Sequence, residues 1–130
     1  MIQEFVDRFM AKEEELKETL RKNPRWSYKD LVKETISLIS EGYRSPDPER
    51  ITIIDHGDFQ GTLLFVIAAQ GYQPYHYWYV KISYGSCSGC DTLIGINELA
   101  DYDSKEATDQ QVKDYYTLCL HIIQQLKEMD

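Results

Sequence analysis

Thr62-Leu63-Leu64-Phe65-Val66-Ile67-Ala68-Ala69 reads as an extended segment with apolar side chains on both faces, the pattern of a strand that has a neighbour on each side. Its flanks supply those neighbours. Ile51-Thr52-Ile53-Ile54 precedes it. The stretch from about His76 to Tyr84 follows it, with Trp78, Val80 and Ile82 on one face and Tyr77, Tyr79 and Lys81 on the other. The connections are short and contain Gly57 and Gly61, then Gly71 and Pro74, which favours an antiparallel meander over parallel crossovers.

Helical periodicity takes over on either side. Ile2, Phe5, Val6, Phe9, Met10 and Leu16 share the stripe of a first helix that Asn23-Pro24 stops. Ser27 caps a second helix, with Asp30 at N3 and Leu31, Val32, Thr35, Leu38 and Ile39 on its buried side; Gly42 is its expected stop. Ser45-Pro46-Asp47-Pro48 reads as a short linker. Leu93, Ile96 and Leu99 suggest a short helix that Gly95 interrupts. Thr108 and Gln111 form the capping box of a last helix, whose stripe is Val112, Tyr115, Tyr116, Cys119, Ile122, Ile123 and Leu126. The expected fold is α+β: a three-stranded antiparallel β-meander packed against two N-terminal helices and a long C-terminal helix, with residues 1–130 forming a single domain.

The 130 residues are 42% hydrophobic, enough for one core, and carry a net charge of −8. An acidic surface disfavours direct binding to nucleic acid or to an anionic membrane. No apolar run reaches the roughly 18 residues that a membrane span needs. The start, Met1 to Asp7, has acids where a secretory signal needs bases and an apolar run, so the expected location is the cytoplasm. The imbalance sits in residues 91–130, where nine acids face three bases. Glu98, Asp101, Asp103, Glu106 and Asp109 are its densest part, either a solvated face or a mimic of nucleic-acid phosphates presented to a basic protein.

Tyr84-Gly85-Ser86-Cys87-Ser88-Gly89-Cys90-Asp91 is the stretch with chemical potential. Two cysteines separated by two small residues turn their sulfurs towards one point, half of a tetrahedral zinc site. In a meander the first turn, Asp55-His56-Gly57-Asp58, lies at the same end of the sheet as the exit of the third strand. Zinc held by Cys87, Cys90 and His56, with Asp55, Asp58 or Asp91 as fourth ligand or supporting group, is therefore the metal hypothesis. Two other readings stand beside it: inert thiols in a glycine loop, and a thiol redox protein or sensor. Redox of thioredoxin type wants a different sheet and a proline after Cys90, which the sequence lacks. Cys119 reads as a core residue, and His121, nearly opposite its stripe, as solvated. Tyr77 and Tyr79 are candidate partner contacts, because tyrosine combines large area with a polar tip.

Gly57-Asp58-Phe59-Gln60-Gly61-Thr62-Leu63-Leu64-Phe65-Val66-Ile67 together with Tyr84-Gly85-Ser86-Cys87-Ser88-Gly89-Cys90-Asp91-Thr92-Leu93 resembles a small family of bacteriophage and prophage proteins. The resemblance covers the strands and their two loops. It implies an accessory phage protein, and small acidic proteins of that kind include inhibitors of host defence nucleases, anti-CRISPR proteins among them. It carries no catalytic residue. The expected function is non-enzymatic: binding to a host protein such as a CRISPR nuclease in the bacterial cytoplasm, with structural zinc.

Overall fold

The computed structural model describes residues 2–41, 45–57, 61–71, 76–85, 91–100 and 103–129. Three helices come first: α1 (Ile2–Ala11), α2 (Glu13–Leu20) and α3 (Tyr28–Ile39). The strands β1 (Pro46–Gly57), β2 (Gly61–Ala69) and β3 (Tyr77–Tyr84) follow, then α4 (Thr92–Asn97), α5 (Asp109–Gln125) and the two-residue strand β4 (Lys127–Glu128). The sheet order is β1-β2-β3-β4, and all pairings are antiparallel. The α+β meander expected from the sequence is present, with β2 central.

One face of this sheet is covered. Ile53, Phe65 and Val80 stand opposite one another across β1, β2 and β3, as do Ile67 and Trp78 across the latter pair. Phe65, Ile67, Trp78 and Val80 are buried. Helices close over them: Phe5 of α1 meets Trp78 edge-on at 5.9 Å, and Phe9 stacks on Tyr116 of α5 at 5.1 Å. The stripe expected for α5 is buried along its whole length, and Thr108 with Gln111 forms the complete capping box. Ser27 caps α3 by accepting from the Asp30 amide, again as expected.

Several expectations are corrected. The first helix breaks at Lys12, where the backbone leaves helical geometry (φ −110°, ψ 26°). Arg8 and Lys12 instead donate to the Ile39 and Leu38 carbonyls, cationic partners for the open C-terminal end of α3. Met10 is half-exposed at that break rather than buried. Pro46 and the residues after it belong to β1, not to a linker; an irregularity between Pro46 and Ile51 lets the prolines sit in an edge strand. Leu99 lies beyond α4 and is exposed. Gly42 lies outside the described residues. No helix among them is long and apolar enough to cross a membrane.

The β1–β2 hairpin needs its glycines. Gly57 has φ 152°, a region L side chains rarely adopt. A Cβ on Gly61 would lie 2.3 Å from the His56 carbonyl oxygen and 2.8 Å from the Gly57 Cα. Both contacts are backbone, so no rotamer change relieves them. Gly61→Ala is expected to lower stability by about 1–3 kcal/mol in urea denaturation, with the hairpin as the disturbed element.

Candidate functional site

The hairpin and the exit of β3 do meet at one end of the sheet. Gly57 faces Gly61, which faces Tyr84 on the other side. The Tyr84 hydroxyl crosses β2 to donate to Asp55. Strand alternation puts Asp55 with Leu63 and Ile82 on the helix-covered face, and His56 with Thr62 and Ser83 on the open one. The two neighbours in sequence are thus divided by the sheet.

Asp91 lies at the same end, 5% exposed. It caps α4, its Oδ1 accepting from the Leu93 and Ile94 amides at 3.0 and 3.3 Å. The same oxygen accepts from the Tyr28 hydroxyl at 2.7 Å, and Oδ2 accepts from the Gly85 amide at 3.0 Å. Both carboxylate oxygens are committed to protein donors. Gly85 and Asp91 bracket the two cysteines in sequence, so the chain before and after residues 86–90 is tied together through one side chain. Burial, reinforced by the Asp91 bond, raises the Tyr28 phenol above its ordinary value and keeps it a donor. Asp-Thr-Leu ahead of a short helix is a recognisable cap signal; the Tyr28 and Gly85 donors are visible only in three dimensions.

Cys87, Cys90 and Asp58 lie outside the described residues. Among the described ones, no group of three or more His, Cys, Asp or Glu side chains is placed to hold a metal ion. Cys119 is fully buried on α5, and burial pushes its thiol up to about 12 despite the Thr35 hydroxyl beside it. His121 is exposed, at a groove between α4 and α5 that Asp114 and Leu118 also line.

The acidic segment runs along the connection from α4 to α5. Glu98, Asp103, Glu106 and Asp109 are all exposed, and Asp101 lies outside the described residues. The connection is anchored rather than loose: the Ala107 amide donates to the Arg21 carbonyl at 2.8 Å, and Ala107 is buried. Gln111 adds bonds to the Pro24 and Ile96 carbonyls. Asp109 pairs with Arg21, whereas Glu98, Asp103 and Glu106 form no ion pair among the described residues. Tyr77 and Tyr79 are elsewhere, on the open face of the sheet beside β4. The 17 residues of α5, about 25 Å long at 1.5 Å per residue, run from Asp109 at the acidic end towards β4 and Tyr79 at the other. The structure does not bring them together.

Compared with protein-family models, curated proteins and solved structures, the chain gives no match.

Two outcomes follow from the buried groups. Asp91→Asn is expected to cost about 2–3 kcal/mol, because with Oδ1 kept for Tyr28 and the α4 amides the new NH2 group faces the Gly85 amide donor-to-donor, and Tyr28→Phe about 1–2 kcal/mol. In a double-mutant cycle by urea denaturation the two losses should be non-additive. Cys119 should not react with a chromogenic disulfide reagent until the protein unfolds. Its folded-state value is raised, so the unfolded chain releases that proton first. Stability is therefore expected to fall as pH rises from about 9 towards 12.

Proposed function

We propose that this chain is a non-enzymatic binding protein of the phage-accessory kind. In this reading it inhibits a host nucleic-acid-binding defence enzyme, such as a CRISPR nuclease, by occupying a basic surface meant for phosphates. The observation that carries the reading is the α4–α5 connection. Glu98, Asp103 and Glu106 are exposed and unneutralised by any ion pair among the described residues, on a segment pinned by Ala107 and Gln111. Negative charge held in place competes with a polyanion for a basic channel better than charge on a floppy tail, since less ordering entropy is lost on docking. Tyr77 and Tyr79 supply a second contact surface on the sheet.

Zinc is part of the proposal as a structural element. Cys87 and Cys90 would hold it with His56, whose strand ends beside the exit of β3. Asp91 acts in support by tying together the chain on either side of the cysteines through Tyr28 and Gly85, and Asp55, on the other face from His56, by holding Tyr84 at the exit of β3.

Affinity capture of a host nuclease, followed by inhibition assays with the purified pair, tests the reading. Inhibition should weaken with rising salt, and E98K/D103K/E106K should lower affinity by about tenfold or more. Salt-independent inhibition, or full activity of that variant, would remove the acidic segment from the mechanism. Metal analysis of the same preparation should give stoichiometric zinc, with the Cys87 and Cys90 thiols protected until a chelator is added. A reactive thiol of low pKa in metal-free protein would support thiol redox chemistry instead.

A further inference from the structure

From Thr52 onward, the outward face of the sheet carries lysines and no described carboxylate, although the chain as a whole is acidic. Strand alternation places Thr52, Ile54 and His56 of β1, Thr62, Leu64, Val66 and Ala68 of β2, and Tyr77, Tyr79, Lys81 and Ser83 of β3 on this side. Lys127 of β4 stands opposite Tyr79, and the Met129 amide donates to the Tyr77 carbonyl at 2.9 Å. No described carboxylate occupies any of these outward positions. Lys81 and Lys127 are their charged groups, and neither forms an ion pair among the described residues. Ile54, Tyr77 and Met129 are 50%, 40% and 46% exposed, large apolar side chains with no helix over them.

At the corner where β3 meets β4 this face opens into a groove of about 330 Å3, lined by Tyr79, Lys81, Gln124, Gln125 and Lys127. Its polar side chains are rich in donors: two ammonium groups, two amides and a phenol. β4 pairs only with Trp78 and Tyr79, so β3 from Val80 onward has no strand neighbour on that side among the described residues.

We propose that this groove and the aliphatic–tyrosine face beside it dock an extended acidic segment of a partner protein. The carboxylates would sit between Lys81 and Lys127, and the apolar side chains would lie on Tyr79, Val66, Leu64 and Ile54. The proposal rests on reading the chain as a binding protein, but not on the acidic α4–α5 connection, which has the wrong sign for the same partner surface. Charge complementarity selects the occupant: an anionic segment is attracted to these lysines, whereas the chain as a whole carries a net charge of −8 and repels it elsewhere. The strip of Ile54, Leu64 and Val66 between the basic corner and the edge of the sheet suits aliphatic side chains, whereas a nucleic-acid strand would need further cations along its backbone. A second copy packed face to face would bring these lysines no carboxylate, because none of the outward positions named above carries one.

Fluorescence anisotropy with the full chain and a fluorescein-labelled peptide alternating glutamate and valine tests this, with a lysine–valine peptide and single-stranded oligothymidine as rivals. The acidic peptide should bind saturably, weaken with salt, and lose about tenfold or more in affinity with K81E/K127E, whose fold is checked by circular dichroism. E98K/D103K/E106K should leave that binding in place, so failure here and failure of the acidic-segment reading are separable. Absence of saturable binding, binding unchanged by K81E/K127E, or preference for oligothymidine or the lysine–valine peptide would overturn the proposal. Self-association at low salt that either set of charge reversals abolishes would overturn it too, assigning the face to a second copy of this chain.

Discussion

One carboxylate joins three elements of the fold, reaching 63 residues back along the chain to the first of them. Asp91 accepts from Tyr28 at the start of α3, from Gly85 at the exit of β3, and from the first amides of α4. A buried carboxyl group without these donors would be costly, so the arrangement holds only if all three parts arrive together. That requirement orients α4 against α3, and it fixes where the chain leaves the sheet and where it resumes beyond the cysteine pair. The same group therefore bounds the most chemically distinctive stretch of the sequence and begins the path that leads into the acidic connection. Asp91 looks like a ligand when read beside Cys90, yet its oxygens are occupied by the scaffold itself.

A second polar junction completes the frame. Gln111 donates to the Pro24 and Ile96 carbonyls, the Tyr115 hydroxyl lies between the Pro24 carbonyl and Asn97, and Asn97 donates to the Trp26 carbonyl. The bonds to Pro24 and Trp26 satisfy backbone carbonyls in the turn between α2 and α3 that helix and sheet leave unpaired. They also clamp both ends of the α4–α5 connection. Its carboxylates are exposed but their backbone support is buried, a combination that gives surface charge a defined position.

The molecule is polarised as a result. Acidic groups concentrate at the N-terminal end of α5, while the C-terminal end leads into β4 and brings Lys127 beside Tyr79 and Lys81. One helix thus separates two surfaces of opposite sign. Each surface is open to independent alteration because no residue serves both.

The sequence alone determined the elements whose signal is local. β2 is legible because its apolar residues serve both faces of the sheet, α3 and α5 because caps and stripes agree, and β3 because its two faces differ in chemistry. The shared end of the sheet at Gly57, Gly61 and Tyr84 followed from meander connectivity. Only the tertiary structure decided the rest. β4 has no strand pattern and exists because Tyr77 and its neighbours offer it an edge; the break at Lys12 answers the exposed carbonyls at the end of α3. His56 and Asp55 fall on opposite faces, and Lys81 and Lys127 on the same one, through strand register. Periodicity records which residues of one element share a face, whereas a site drawn from several elements depends on how their faces are brought together by packing.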